Sequence, residues 1–284
     1  MPIDAKKSRL IFRKLARELT KLTKKPAPEN VHSFRTNSRR VEALLMEIVP
    51  DHHRNDDKLL RLLAQLRKKA GRVRDLDVQI AALRNFKVPV SNGDKSQLMD
   101  ALIGERDKRE KKLAKAFDHK TAAEIHKRLK RSARGMHIPR DTEPLALTLG
   151  KLAQLGRDHV PVTEKVLHQY RIIGKRARYV AELAGQDPAA KRVVEQLKHM
   201  QDVIGDWHDW LKLSQKAEEL LGDVRDSSLV AMLQSVTQAK FRQSLNAVAE
   251  MRAALPANGS SLRRQPAASH KPSAKEAPAR SAAA

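Results

Sequence analysis

The sequence predicts an all-α protein with two halves of four helices each, related by an internal repeat. Apolar residues recur at three- and four-residue spacing, which is the helical period, and strand-like alternation is missing. Two short motifs also return in the same order at nearly one offset. The chain has 284 residues, of which 40 % are hydrophobic, and this is enough to form a core in one large domain or two small ones.

Prolines and turn residues divide the first half, residues 1–134, into four predicted helices. Pro26 and Pro28 end the first helix, Pro50 ends the second, and the turn at 88–93 ends the third. The fourth helix carries a break signal near Asp118. The predicted ranges are 5–22, 31–49, 55–86 and 94–134.

A linker at 135–142 precedes a second half, residues 143–255, with the same rhythm. Pro144 and Pro188 suit the first turn of a helix, and Asp187 suits an N-cap. The predicted helices cover 143–158, 162–185, 188–221 and 227–254. From residue 256 to 284 the composition changes to Pro, Ala, Ser, Lys and Arg, which predicts a disordered basic tail.

The repeat is visible in two pairs of segments. Val-His-Ser-Phe-Arg at 31–35 corresponds to Leu-His-Gln-Tyr-Arg at 167–171. Gly71-x-x-Arg74-Asp75 corresponds to Gly205-x-x-His208-Asp209. The two motifs keep their order, and the separation between copies is nearly the same for both. Matching order and nearly matching separation indicate an internal duplication.

Both copies of the first motif place bases on one helix face. At about 100° per residue, His32, Arg35 and Arg39 share a side, as do their counterparts His168, Arg171 and Lys175. Arginine offers a planar fork of donors that suits phosphate oxygens, and lysine offers a mobile point charge. One helical turn rises about 5.4 Å, which approximates the spacing of alternate phosphates in an extended chain. In the second motif, Asp75 and Asp209 are expected to orient neighbouring bases.

The net charge of +24 points to a polyanionic partner. Aromatic residues make up 3 % of the chain, too few to stack many bases, and no helix-turn-helix or zinc-finger signature is present. Weak nonspecific nucleic-acid binding therefore stays as the alternative to binding of a phosphate polymer. No run of 18 apolar residues occurs, so no membrane span is expected.

Enzyme signatures are missing. The chain has no cysteine, which excludes disulfides, thiolate zinc sites and cysteine nucleophiles. It has no glycine-rich phosphate loop and no serine-nucleophile motif. A duplicated metal site is excluded because the counterpart of His208 is Arg74, which cannot ligate a metal. We expect no catalytic residue, no metal and no cofactor, and a metal-dependent phosphohydrolase is a less favoured interpretation.

Four segments together resemble the CHAD family, the conserved histidine α-helical domain. They are VHSFRTNSRRVEALL, LRKKAGRVRDLDV, LHQYRIIGKRARYVAEL and MQDVIGDWHDW, and the resemblance covers about residues 5–255. It implies an all-α fold of two four-helix bundles related by an internal pseudo-two-fold repeat. The basic residues of such domains line a central groove or pore that binds inorganic polyphosphate. It also implies that some members localise to polyphosphate granules. We expect a cytoplasmic location, which the absence of cysteine fits.

Carried over by position, the resemblance implies a polyphosphate site with contributions from both halves. The implied residues are His32, Arg35, Arg39, Arg40, His168, Arg171, Lys175, Arg176 and Arg178, with Arg72, Arg74 and His208 as weaker members. The chain departs from the family at Glu42, the counterpart of Arg178, and at Trp207 and Trp210. The β-barrel triphosphate tunnel that is often fused to such domains is missing, which favours a binding module over an enzyme.

Overall fold

The structure, a computed structural model, describes residues 3, 5–51, 53–88, 93–139, 141–156 and 162–254. Within these ranges it is helical without strands, which confirms the all-α prediction, and no helix there is both long and apolar enough to cross a bilayer. The helices are α1 (Ala5–Lys24), α2 (Pro28–Glu47), α3 (Arg54–Asn85), α4 (Asp94–Ala116), α5 (His119–Gly135), α6 (Pro144–Gly156), α7 (Glu164–Ala181), α8 (Pro188–Leu221) and α9 (Ser228–Ala254), with a 3₁₀ turn at Glu182–Ala184. The predicted tail at 256–284 and the predicted helix end at 157–158 lie outside the described residues.

The predicted helix at 94–134 is two helices, so the first half contains five helices instead of four. α4 ends at Ala116, and Phe117 turns into the core with only 5 % of its surface exposed. Asp118 then caps α5, because its Oδ1 accepts a hydrogen bond of 2.6 Å from the Thr121 backbone N–H. The break predicted near Asp118 is therefore the point at which a new helix, α5, begins. Asp187 caps α8 in the predicted way, accepting from Ala189 N–H at 2.8 Å.

The helix starts follow the sequence repeat. α2 and α7 begin at 28 and 164, which are separated by the same interval as the two copies of the first motif at 31 and 167. α3 and α4 begin at 54 and 94, and α8 and α9 begin at 188 and 228. The start of α8 follows that of α3, and the start of α9 follows that of α4, by the same interval that separates Gly71 from Gly205. The pseudo-two-fold relation between two bundles stays a prediction.

Three clusters of buried apolar side chains hold the helices together. The first lies among α1, α2, α3 and α5 and includes Phe34, whose ring meets Phe117 edge-on at 5.0 Å. The second lies among α6, α7, α8 and the end of α9, around Trp207. The third contains Leu83 and Leu102 from the first half and Leu213 and Leu233 from the second. The halves are therefore joined by a shared apolar core.

Two contacts between the halves determine where the basic faces meet. α2 packs directly against α7, and Tyr179 and Val180 of α7 belong to the first core. α3 packs against α8. At the far side, the Ser227 hydroxyl donates to an Asp94 carboxylate oxygen at 2.6 Å. Because α2 and α7 carry the two copies of the His/Arg motif, this packing brings both copies to one interface.

Candidate anion-binding site between the two halves

The first-half contribution comes from α2, and its apolar face determines its orientation. Val31, Phe34 and Val41 are fully buried, so the opposite face carries Arg35 and Arg39. Arg35 reaches α3, where its Nη2 lies 4.0 Å from Asp75 Oδ1 and its Nη1 lies against the backbone of Gly71. Only 19 % of the Arg35 side chain is exposed, so this cation is held largely out of water.

The second-half contribution comes from α7, which is anchored in the same way by Leu167, Tyr170 and Ala177. Arg171 and Lys175 lie one turn apart on the partly buried face. The positive charge of Arg171 acts on Arg35, and those of Arg39 and Arg35 act on Lys175. The four side chains therefore lie close together across the α2–α7 interface. We call Arg35, Arg39, Arg171 and Lys175 the central cation cluster.

This packing lowers the pKa of Lys175 strongly. Burial, reinforced by the positive charges of the other three cluster residues, lowers the pKa of Lys175 to about 7, while Asp209 opposes the shift. Burial also lowers the pKa of Arg35 and of Arg39, although guanidinium groups stay protonated at neutral pH. The cluster thus holds more positive charge than its surroundings neutralise.

The carboxylates near the cluster do not balance it. Burial raises the pKa of Asp209 to about 6, and the negative charges of Asp75 and Asp206 act in the same direction. The cluster residues Arg171 and Lys175 partly offset this rise. Asp209 is consequently a weaker counterion near pH 6 than an exposed aspartate would be. The positive charge that the protein does not neutralise would therefore attract a multivalent anion to the cluster.

Histidines border the cluster in both halves. Burial lowers the pKa of His208 to about 4, helped by Arg171 and other nearby cations, and the His208 ring lies 6.2 Å from the ring of His168. Burial, with Arg74 and Arg35, also lowers the pKa of His32. At neutral pH His32 and His208 are therefore uncharged, and each ring can donate one hydrogen bond to an anion. A bound polyanion would raise both pKa values.

Arg67 of α3 is a neighbour that the motif search missed. Its Nη2 donates to Glu42 Oε1 at 2.7 Å and its Nη1 to Ser38 Oγ at 3.3 Å. Its positive charge lowers the pKa of both Arg35 and Arg39, which places it beside the cluster. The signal was present in the sequence, because Arg67 lies one helical turn before Gly71 and so shares its helix face.

The remaining predicted residues lie at the edges. Arg40 Nε donates to Glu182 Oε2 at 2.8 Å, and Arg178 stacks on the Tyr179 ring with its Cζ 4.9 Å from the centroid. Arg176 is exposed and lines a cleft of about 120 Å³ between α2 and α7. Arg39, Lys175 and Arg67 also line this cleft. Solution anions can therefore reach the cluster from this side.

Arg72 and Arg74, the weaker members, sit on α3. Arg72 is exposed, and Arg74 lies close enough to His32 to lower its pKa. Within the described ranges no group of three or more His, Asp or Glu side chains is arranged to hold a metal ion. That the protein uses no metal stays a prediction.

Two solved structures share this fold. PptA from Streptomyces chartreusis superposes with a TM-score of 0.69 at 13 % identity, covering 88 % of this chain and 99 % of that chain. The CHAD domain from the plant Ricinus communis superposes with a TM-score of 0.64 at 16 % identity, covering 86 % and 88 %. At such identities the likeness shows the fold alone.

Family membership is shown by the sequence comparison. A comparison with curated proteins finds no match. Residues 9–216, well over half of the chain, match the family described as the CHAD domain. These residues contain α2 and α7, which supply the whole central cation cluster, together with α3 and most of α8. The match confirms the resemblance drawn from the motifs: the chain belongs to the CHAD domain family.

Proposed function

We propose that this protein binds inorganic polyphosphate in the central cation cluster and acts as a binding module. One observation carries the proposal: four cations from two halves converge in a partly buried position where burial and mutual repulsion lower the pKa of Lys175 to about 7. Such an arrangement is unfavourable without an anion and becomes favourable with one. Membership of the CHAD family supports the same ligand, since the resemblance implies polyphosphate binding.

The chemistry of the side chains suits a chain of phosphates. Arg35, Arg39 and Arg171 can each donate two parallel hydrogen bonds to phosphate oxygens. Lys175 supplies a further charge between them, and neutral His32 and His208 supply single donors at the border. Binding would proceed by electrostatic capture followed by hydrogen bonding. Affinity should therefore fall steeply with salt, as it does for proteins that bind nucleic-acid phosphates.

A paired set of variants tests the site. Arg39→Gln/Lys175→Gln removes two cluster charges, and Lys14→Gln/Arg17→Gln removes the same two residue types from exposed positions on α1. We expect the cluster variant to lose affinity for polyphosphate by at least about a hundredfold, given the worth of hydrogen bonds to charged groups. The control should change it only slightly. Equal losses in both variants would refute the central cation cluster as the site.

The net charge of +24 favours a second candidate function, nonspecific nucleic-acid binding. A competition titration near physiological salt separates the two. Labelled long-chain polyphosphate is bound and then challenged with double-stranded DNA, single-stranded RNA and unlabelled polyphosphate at matched charge. Polyphosphate binding predicts that only unlabelled polyphosphate competes well. Equal competition by nucleic acid would mean that the protein responds to charge alone.

We propose that binding occurs without turnover and in the cytoplasm, at polyphosphate granules. Turnover is tested by incubating the protein with polyphosphate and Mg²⁺ or Mn²⁺ and measuring released phosphate, with none expected above the protein-free control. Sustained release that the Arg39→Gln/Lys175→Gln variant lacks would make the protein an enzyme. The location is tested by fluorescence microscopy of the tagged protein against a polyphosphate stain.

A further inference from the structure

The two halves differ at three corresponding positions beside the central cation cluster. In the first half, Arg67 of α3 donates to Glu42 and to Ser38 of α2, so every charge in that network has a partner. The alignment of α2 with α7 and of α3 with α8 identifies the counterparts in the second half. They are Gly174 for Ser38, Arg178 for Glu42 and Gln201 for Arg67. In the second half an arginine thus stands in place of the carboxylate, and a neutral glutamine stands in place of the arginine that the carboxylate would pair with.

This substitution leaves polar atoms buried without partners. Gln201 is only 4 % exposed, and among the described residues neither its Nε2 nor its Oε1 has a hydrogen-bond partner. The Nε atoms of Arg171 and Arg178 are likewise buried without a hydrogen-bond partner in the described part of the chain. Buried polar groups are nearly always hydrogen-bonded, so these unmatched atoms beside an excess of positive charge are candidates for contact with an anion.

The unmatched groups lie along one seam between α7 and α8. Gly174 lies against Leu197, Met200 and Gln201 of α8. Arg171 and Arg178, three residues before and four residues after Gly174, share its side of α7. Gln201 approaches from α8, and its Nε2 lies 3.6 Å from the position that a Cβ on Gly174 would take. α7 has no side chain at this point, and the space is occupied by the flexible end of Met200, whose Cε lies 2.8 Å from the same position.

The charge of Arg178 is only partly matched. Its Nε lies 3.6 Å from Glu182 Oε1, beyond hydrogen-bond distance, while Arg40 binds the other oxygen of the same carboxylate at 2.8 Å. One carboxylate therefore serves two guanidinium groups. An additional anion at the seam would satisfy Arg178 and also give the Gln201 amide an acceptor.

We propose that Arg171, Arg178 and Gln201 form a subsite for the terminal phosphate of a polyphosphate chain, present only in the second half. The inference rests on the proposed function, and it adds recognition of a chain end. Arg171 and Arg178 are half-buried and Gln201 is almost enclosed, so a chain end that entered between the arginines would stop at Gln201, whereas an internal segment would have to continue past it. A terminal phosphate also carries a second negative charge, with a pKa of about 6, which an internal phosphate lacks.

Polyphosphate with free ends and the same polyphosphate with amine-capped ends are the two probes. Fluorescence titrations measure the affinity of the wild-type protein and of Gln201→Leu for each probe. We expect wild type to bind the free-ended chain about tenfold more tightly, the factor for one hydrogen bond to a charged group. Gln201→Leu should bind both forms with the affinity that wild type shows for the capped chain. Gln196→Leu, at an exposed position of α8, is the matched control.

Thermal unfolding separates a ligand role from a structural one. Replacing an unpartnered buried amide by leucine should keep or raise the Tm of the free protein, whereas a structural amide would lower it. Equal wild-type affinity for capped and free-ended chains would overturn the subsite even if Gln201→Leu failed to fold. So would a Gln201→Leu protein that kept the preference for free ends. Failure of both probes to bind wild type would instead overturn the proposed function.

Discussion

The guanidinium of Arg35 in α2 occupies the space beside Gly71 in α3 that a side chain would fill. A Cβ built on Gly71 would collide with Arg35 Nη1, and the next atom, Cζ, would be only 3.5 Å away. The corresponding glycine of the second half, Gly205, has no atom within 4 Å of such a Cβ. Gly71 therefore lets Arg35 lie flat on α3 beside Asp75, and the two glycines of the repeat have different roles.

Gly71→Ala should displace Arg35 and weaken binding. An alanine at either glycine should favour the helix by about 0.5–1 kcal/mol, because glycine is a poor residue in helix interiors. Only Gly71→Ala moves a cluster cation, so we expect an affinity loss of about tenfold for polyphosphate, the worth of one hydrogen bond to a charged group. Titration of both variants, with Tm as the measure of stability, checks this.

Gly205→Ala is the matched control for that experiment. It should raise the Tm and leave the affinity unchanged, because the added methyl group enters open space. If the two alanine variants bound polyphosphate equally well, the contact between Arg35 and Gly71 would have no part in ligand binding.

Affinity for polyphosphate should rise as the pH falls from 8 to 6. Lys175, with a pKa of about 7, gains its positive charge over this range, and Asp209, with a pKa of about 6, begins to lose its negative charge. Both changes favour a polyanion. Lys175→Arg keeps the charge at every pH, so its affinity should vary less between pH 8 and 7. Isothermal titration calorimetry at several pH values measures the effect, and an equally steep profile in Lys175→Arg would assign it to another group.

Lys175→Met should stabilise the free protein at pH 6. The folded pKa of about 7 lies below the ordinary lysine value of 10.5, so the folded state binds fewer protons and a charged Lys175 opposes folding. That cost is complete below about pH 7 and disappears as the pH rises toward 10.5. The Tm advantage of Lys175→Met should therefore shrink steadily from pH 7 to pH 10. A constant advantage would mean that packing, and not charge, explains it.

Glu42→Gln should make the protein less stable and a better binder. The change removes the carboxylate that Arg67 contacts at 2.7 Å, and the Arg67 side chain is only 14 % exposed. A loss of about 1–3 kcal/mol in the free energy of unfolding follows from leaving such a group unmatched. The released charge of Arg67 is then available to polyphosphate.

Glu110→Gln removes a carboxylate from another arginine pair, with Arg106 on α4, and has the same effect on net charge. Denaturant unfolding and polyphosphate titration of both variants make the comparison. An affinity gain that is the same in Glu42→Gln and Glu110→Gln would reflect net charge alone.

The sequence by itself determined the helices, because caps, prolines and apolar periods are local properties. Asp187 and Pro188 start α8 at the predicted residue, and Val41 and Tyr170 are buried on the predicted apolar faces. The repeat also made Arg35, Arg39, Arg171 and Lys175 candidates for one function. The helix break at Asp118 was signalled, although the resulting count of five helices in the first half was not predicted.

Only the tertiary structure decided how these residues act on one another. The lowered pKa of Lys175 and the unmatched amide of Gln201 depend on which helices pack together, and residues far apart in sequence create both. Arg67 shows the same limit, since its partners Ser38 and Glu42 lie on another helix. Burial and charge fields act through space over several ångströms, and a one-dimensional pattern contains the residue types but not those distances.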